Sequence, residues 1–193
     1  MRKIRRNEID KTCRAFAEMF EDYPLYFALF GKDEKTFERN IYLFKTEVLL
    51  AKNYTYANDD FTVICSVKRP TDKEGDIRRV FANPFFAIPF FKAVGKKQAK
   101  IALEYAKTSD EVAKRHYDPS TDCYIKNVGV AKSRRGQGLL RKTIDELCKD
   151  MPICLETHDE GNVAIYEKLG FKVLETVDFR GAKHYFMKRE RDL

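Results

Sequence analysis

The 193-residue chain has no apolar stretch that approaches the length of a membrane span. Its longest uncharged segment, residues 80–91, contains two prolines and is well short of the roughly 20 apolar residues that a spanning helix needs. The basic N-terminus continues into polar residues instead of the apolar core of a secretory signal. We therefore expect no signal peptide and no membrane partner.

Cysteine and histidine are few and scattered. The five cysteines include no C-x-x-C pair and leave one cysteine over, which favours reduced thiols in a cytoplasmic protein. The three histidines, His116, His158 and His184, have no metal-ligand spacing, either among themselves or with the cysteines. Internal repeats and low-complexity segments are also missing. The sequence therefore predicts a cytoplasmic protein without a metal site.

Charge of one sign is only modestly in excess, with 37 Lys and Arg against 30 Asp and Glu and a formal net charge of +7. Because both signs are mixed along the chain, the excess is weaker than in a nucleic-acid-binding arm, and we expect no nucleic-acid partner. Hydrophobic residues make up 44% of the chain, which is enough for a core without disulfide or metal staples. We expect a single domain over residues 1–193.

Hydrophobic periodicity predicts helices that alternate with strands. The predicted helices cover residues 8–20, a segment with Phe37, Ile41, Phe44 and Val48, residues 91–106, a segment with Leu140, Ile144 and Leu147, and residues 162–169. The predicted strands cover residues 54–57, 61–67, 123–130, 153–155, 171–179 and 183–188, and the first two form a hairpin. Since some neighbouring strands look antiparallel, we expect an α/β or α+β fold with a mixed sheet.

A glycine-bearing turn, Arg135-Gly136-Gln137-Gly138, joins the strand 123–130 to the next helix. The first amides of a helix lack internal partners and attract anions, and residues 126–142 hold six Lys or Arg and no Asp or Glu. The turn is therefore either a phosphate site or an ordinary bend with solvated basic residues. It is neither a dinucleotide fingerprint nor a P-loop, because the third glycine and the Gly-Lys-Ser/Thr are both missing.

Two segments resemble the GNAT superfamily of N-acetyltransferases. The run 130–140 resembles that family's acetyl-CoA loop, Arg/Gln-x-x-Gly-x-Gly/Ala after a strand valine, with Arg135 and Gly138 matching and Leu140 in place of a small residue. Residues 162–171, Asn-Val-Ala-Ile-Tyr-Glu-Lys-Leu-Gly-Phe, are similar to a segment late in the same family. Together the motifs cover about residues 122–175, and the N-terminal part would shape the acceptor site.

The resemblance implies a GNAT-like fold, a mixed and mostly antiparallel sheet flanked by helices, with a splayed strand pair that binds acetyl-CoA. The strand ending at Val130 would diverge from the strand 153–157 to hold the pantetheine arm. Backbone groups of β-strand residues would also stabilise the charge that grows on the acetyl carbonyl. The cofactor-binding residues implied in this way are Val128, Gly129, Val130, Arg135, Gly136, Gln137, Gly138, Leu139, Leu140, Asn162 and Tyr166.

Tyr166 is the implied general acid. Transfer of the acetyl group expels a thiolate with an ordinary pKa of about 8.5, to which a nearby phenol can donate a proton. The alternative is a core tyrosine packed under Phe171. Asn162, one helical turn earlier, is expected first as a helix N-cap, and the resemblance adds a contact from its side chain to CoA.

Glu156 is the nearest candidate for the base that takes the proton of the amine, and His158 shares its face by strand alternation. Both are also consistent with surface residues at a strand end. Cys154 beside them suggests covalent acyl transfer, but no His and Asp at suitable spacing support it, so we expect a buried structural thiol.

Residues 85–91 hold four phenylalanines in seven positions. In the implied fold they form either a wall of the core or part of the acceptor pocket, and we expect mainly core with a contribution to the rim. The function that the sequence favours is acetyl-CoA-dependent transfer to a primary amine by direct attack in a ternary complex. The alternatives are a non-catalytic acyl-CoA-binding module and a basic nucleic-acid-associated protein. The amine stays unidentified, and a homodimer is left open.

Overall fold

A seven-stranded sheet organises the protein in the computed structural model, which describes residues 1–191. In chain order the strands are β1 (Arg2–Lys3), β2 (Thr55–Ala57), β3 (Val63–Lys68), β4 (Cys123–Val130), β5 (Ile153–Thr157), β6 (Lys172–Phe179) and β7 (Ala182–Arg189). The spatial order is β1-β2-β3-β4-β5-β7-β6. Only β4 and β5 are parallel among the described strands, and every other neighbouring pair is antiparallel. The predicted mixed, mostly antiparallel sheet is confirmed.

Eight α-helices flank the sheet within residues 1–191. They are α1 (Ile9–Met19), α2 (Pro24–Phe30), α3 (Thr36–Ala51), α4 (Ile77–Ala82), α5 (Pro84–Val94), α6 (Lys96–His116), α7 (Leu139–Leu147) and α8 (Glu160–Glu167). Helices α2 and α4 were not predicted from the sequence. The seven residues of α2 are apolar or aromatic throughout, so they show no helical alternation with polar residues, and the six residues of α4 are too few to establish a period.

The two faces of the sheet carry separate hydrophobic cores. One core combines residues of α1, α2, α3 and α5 with strand residues such as Ile64. The other combines α7 and α8 with strand residues such as Cys65 and Leu155. Because side chains alternate along a strand, the neighbours Ile64 and Cys65 enter opposite cores. The sheet thus separates the helices that contain the two motifs from the N-terminal helices.

The prediction of one helix over residues 91–106 is wrong. Gly95 adopts a positive φ of 81°, which ends α5 at Val94 and lets α6 begin at Lys96. Helix α5 begins earlier than predicted, with Pro84 at its first position and Asn83 as its N-cap, accepting a hydrogen bond from the Phe85 amide. None of the helices within residues 1–191 combines the length and apolar character needed to cross a membrane.

Candidate functional site

Strands β4 and β5 diverge, as the resemblance implies. They pair only from Cys123 opposite Ile153 to Ile125 opposite Leu155. Beyond that point β4 continues to Val130 while it remains paired with β3. A register shift helps to turn β4 away, because Ser66 and Val67 of β3 pair with residues 127 and 125 and skip Lys126. The result is a gap in the middle of the sheet that connects its two faces.

The loop after β4 leads directly from this gap to the N-terminus of α7. Gly136 and Gly138 have φ of 77° and 71°, a conformation that side chains other than glycine rarely adopt. Within the described residues, the backbone amides of residues 136–141 donate to no protein acceptor. Six consecutive free amides at the positive end of a helix dipole suit the phosphates of an anionic ligand.

Arg135, an exposed residue, anchors the start of this loop through its side chain. Its Nε donates to the carbonyl oxygen of Val130 at 3.2 Å, and its Nη2 donates to that of Met19 at 3.0 Å. The side chain therefore ties the start of the loop to the ends of β4 and α1. Arg135 positions the glycine turn through these two contacts.

The two faces of β4 differ at the gap. Val128 packs with the core of α7 and α8. Gly129 faces α1, where a Cβ would lie only 2.6 Å from the sulfur of Met19 and 3.3 Å from the Phe20 ring. A side chain at position 129 is thus excluded by the packing of α1, and the backbone of β4 stays uncovered by its own side chain on that face.

Asn162 is not the N-cap of α8, which corrects the sequence prediction. The helix begins two residues earlier, and Asp159 is the cap, with its Oδ1 accepting from the amides of Gly161 at 2.7 Å and Asn162 at 3.2 Å. Asn162 is half-buried in the first turn, and its side-chain amide has no hydrogen-bond partner among residues 1–191. The CoA contact of Asn162 stays a prediction.

Tyr166 is buried in the core that α7 and α8 form on one face of the sheet. Its ring packs edge-to-face against Phe171, with centroids 5.6 Å apart, so the predicted core contact is present. Burial raises the pKa of the Tyr166 phenol well above its ordinary value, and the nearby Tyr23 and Cys65 add to the increase. Tyr166 is therefore protonated at neutral pH, which a proton donor requires. Its role as the general acid stays a prediction.

Glu156 is an enclosed carboxylate rather than a surface residue. Its side chain is 11% exposed, and it accepts hydrogen bonds from Ser109 Oγ at 2.8 and 2.9 Å, from Tyr105 at 3.3 Å and from Tyr124. His184 Nε2 lies 3.0 Å away. Burial alone would raise the pKa of Glu156, but His184 and the hydroxyl donors outweigh it and lower the pKa. The lowered pKa favours the ionised carboxylate, whose two oxygens already accept hydrogen bonds from these hydroxyl groups.

His158 shares that cluster, which confirms the shared face that strand alternation predicts. Tyr105 OH touches both Glu156 and His158, and it lies 3.0 Å from His158 Nε2. Tyr23 OH lies 3.4 Å from the other ring nitrogen. Burial, and then the neighbouring His184, lower the pKa of His158 to about 3, so the ring is neutral. Cys154 is also buried, and burial raises the pKa of its thiol, as expected for a structural cysteine.

Glu47 is the residue that the sequence reasoning missed. It lies on α3 and accepts a hydrogen bond from Asn127 Nδ2 at 2.5 Å, on the part of β4 that has left β5. Burial raises the pKa of Glu47 to about 7, although Asn127 and Lys126 oppose the increase. The signal was present in the sequence, because Glu47 follows Phe44 by three residues on the apolar side of α3.

No protein-family model matches the chain, and no curated protein sequence is significantly similar to it. Solved structures do match. A structure described as histone acetyltransferase HPA2 and related acetyltransferase, from Corynebacterium glutamicum, is 18% identical over 99% of this chain and 95% of that chain, with a TM-score of 0.59. Arylalkylamine N-acetyltransferase 2 from Aedes aegypti is 16% identical over 98% of this chain and 97% of that chain, also with a TM-score of 0.59.

The C-terminal condensation domain of Ebony, solved in complex with beta-alanyl-dopamine, is similar as well. It is 10% identical over 97% of this chain and 96% of that chain, with a TM-score of 0.65. At these identities the likeness establishes architecture, and it extends over nearly the whole length of each chain. The protein has the fold of the GNAT-type acetyltransferases, as its two sequence motifs predict.

Proposed function

We propose that the protein is an acetyl-CoA-dependent N-acetyltransferase that transfers the acetyl group to a primary amine by direct attack in a ternary complex. The observation that carries the proposal is the gap between β4 and β5, which opens directly onto the six free amides of residues 136–141. The likeness to acetyltransferases over nearly the whole chain supports it.

The residues around the gap suit acetyl-CoA. The amides of residues 136–141 would hold its phosphates. Residues 128–130 have β3 on one edge and no β5 partner on the other, and backbone groups on that second edge would bind the pantetheine arm and the acetyl carbonyl. The free side-chain amide of Asn162 would add a contact from α8. Bound acetyl-CoA would supply a thioester as the acetyl donor.

The gap joins two chemically different faces, which is what a direct transfer requires. Tyr166 and the free amides lie on the face of α7 and α8, while Glu47, Glu156 and His158 lie on the face of the N-terminal helices. An amine held on the second face can attack the thioester carbonyl carbon through the gap. The C–S bond breaks as the new C–N bond forms, and Tyr166 donates its proton to the departing sulfur.

A base must take the proton that the amine loses. Glu156 is the base that the sequence predicts, but its lone pairs already accept from several donors. Glu47 has one hydrogen-bond donor in the described part of the chain and a pKa of about 7, which suits proton transfer near neutral pH. We therefore propose Glu47 as the group that accepts the proton. Glu156 would keep a fixed negative charge on the face where the amine binds.

The same face suits an amine that carries an aromatic group. The rings of Tyr23 and Tyr26 lie with their centroids 5.7 Å apart, and the Tyr105 hydroxyl lies 3.3 Å from a carboxylate oxygen of Glu156. A carboxylate attracts the ammonium form of an amine, and aromatic rings stack on an aryl group. Two of the similar structures carry names that involve aryl amines, an arylalkylamine N-acetyltransferase and a domain bound to beta-alanyl-dopamine. Arylalkylamines are therefore the first acceptors to test.

The test begins with calorimetric titration of acetyl-CoA into the purified protein, with CoA and ATP as comparators. The release of CoA is then measured with a panel of primary amines that includes arylalkylamines. We expect saturable binding that favours acetyl-CoA over ATP, and turnover with at least one amine. Tyr166→Phe should keep acetyl-CoA binding and lose most of the turnover. Binding without turnover on any amine would indicate the acyl-CoA-binding module instead, and no binding would refute both.

A further inference from the structure

Helix α5 presents large apolar side chains to solvent. Phe85 is 91% exposed, Ile88 is 68% exposed and Phe91 is 46% exposed. The three residues follow one another at intervals of three, so they lie on one side of the helix. Phe86 and Phe90 enter the core instead, so the expectation of a core wall holds for only two of the four phenylalanines. An exposed aromatic ridge of this kind is uncommon on a surface that faces only water.

The segment that contains α5 is also one-sidedly basic. Residues 77–103 include six Lys or Arg and no Asp or Glu, so this segment alone has a formal charge of +6, out of +7 for the whole chain. Six exposed cations lie there, namely Arg78, Arg79, Lys92, Lys96, Lys97 and Lys100. None of them forms an ion pair within the described residues, whereas Lys126 and Lys188 elsewhere do. Lys92 follows Ile88 by four residues and therefore lies on the same side of α5 as the apolar ridge.

We propose that the basic aromatic face, defined as Phe85, Ile88, Phe91 and Lys92 of α5 together with the five exposed cations of the adjoining helices α4 and α6, docks on an anionic lipid bilayer. Lysine and arginine at the surface of such a membrane are attracted to its headgroups, and aromatic side chains beside them enter the headgroup and acyl boundary. The expectation of no membrane partner came from the lack of a spanning segment, and peripheral docking needs none.

The shape and charge of the face favour a bilayer over the other occupants. Phe85 projects from a helix and is nearly fully exposed, so a fluid lipid layer can bury it without a matching cavity. A second copy of this chain would bring a second set of unpaired cations against the first, which opposes association. The inference is independent of acetyl transfer, because no residue of the basic aromatic face belongs to the site at the gap.

The test is sedimentation of the full chain with vesicles of phosphatidylcholine alone and of phosphatidylcholine mixed with phosphatidylglycerol. We expect binding to the mixed vesicles only, weakened by added salt because the attraction is screened. Lys96→Glu with Lys97→Glu should reduce the partition coefficient at least about tenfold. The matched control, Lys149→Glu with Lys172→Glu, makes the same change in net charge at exposed positions outside the face and should change binding little.

The apolar contribution is tested by Phe85→Ser with Ile88→Ser, which alters exposed side chains and leaves the net charge unchanged. This variant should lose most of its binding to mixed vesicles while its thermal unfolding midpoint stays near that of the unaltered chain. The proposal would be overturned if the two double lysine variants bound mixed vesicles equally well, or if the unaltered chain did not bind them. Tighter binding to polyglutamate than to vesicles, or a dimer on a sizing column that Phe85→Ser dissociates, would overturn it in favour of an acidic protein or a second copy.

Discussion

Glu47 and Glu156 are both enclosed carboxylates on the same face of the sheet, yet their protonation differs. Glu156 is surrounded by hydroxyl donors and His184, so its pKa is lowered despite burial. Glu47 has Asn127 as its donor, and burial dominates to raise its pKa to about 7. The number of hydrogen bonds to the charged form thus decides which carboxyl can exchange a proton near neutral pH.

Replacing Glu47 should remove one limb of the pH profile. In the unaltered protein, kcat/KM should rise with pH through about 7 as the Glu47 carboxyl becomes able to accept a proton. Glu47→Gln should lower kcat/KM by roughly 10² to 10⁴ and flatten that limb. The measurement is CoA release against pH with an amine that the unaltered protein acetylates.

Asn127→Ala is the matched control for this prediction. It leaves the carboxyl in place and removes the hydrogen bond that lowers its pKa, so the same limb should move to higher pH. Glu156→Gln should lower activity without moving the limb. If Glu156→Gln abolishes the limb and Glu47→Gln retains it, the base is Glu156, as the sequence predicts.

At the scale of elements, the turn before α7 can be tested through its glycines. Gly138 has a φ of 71° and open space around the position of a Cβ, so Gly138→Ala should cost only backbone strain of about 1 kcal/mol. Loss of an aligned amide contact to a phosphate should weaken acetyl-CoA binding about tenfold. Calorimetric titration measures the affinity, and thermal unfolding measures the strain.

Gly181 offers the same change at a different place. It lies in the turn between β6 and β7 with a φ of 82° and open space at the Cβ position. Gly181→Ala should therefore lower stability by a similar amount and leave acetyl-CoA affinity unchanged. Equal losses of affinity in the two variants would mean that the α7 turn holds no phosphate.

At the start of α8, one residue caps the helix and a different residue is the proposed ligand of acetyl-CoA. Asp159→Ala removes the cap and should cost about 1 kcal/mol, a shift of roughly 2–4 °C in the unfolding midpoint. Asn162→Ala should leave the midpoint nearly unchanged and weaken acetyl-CoA binding, because its side-chain amide caps nothing. A stability loss in Asn162→Ala as large as that in Asp159→Ala would contradict the assignment of the cap.

The elements near the motifs could be predicted from sequence because local signals coincide there. Strand β4 was predicted over its observed residues, and the glycine turn and α7 follow it as expected. The start of α8 was misplaced because Asp159 and Asn162 are both good caps, and only the fold selects between them. Glu47 stands out in the sequence as a carboxylate on the apolar side of α3, but its role could not be assigned, because its burial and its contact with Asn127, 80 residues away along the chain, are set by the fold.

Across the whole molecule, the sheet brings together titratable groups whose effects on stability have opposite signs. His158 has a folded pKa of about 3, below the ordinary 6.5, so burying it neutral costs stability as the pH falls below 6.5. Glu47 has a folded pKa of about 7, above the ordinary 4.5. Its contribution is fully present below pH 4.5 and is lost as the pH rises through about 7.

The contribution of Glu47 to stability is isolated by comparing the free energy of unfolding of the unaltered chain with that of Glu47→Gln. Glu47→Gln removes that carboxyl and leaves His158 in place, so the two free energies of unfolding should diverge between pH 4.5 and 8, with the variant gaining up to roughly 3 kcal/mol relative to the unaltered chain. Urea unfolding at a series of pH values measures this without any substrate. Parallel curves over that range would show that the folded protein does not raise the pKa of Glu47, and Glu47 would then be ionised at neutral pH whatever its part in catalysis.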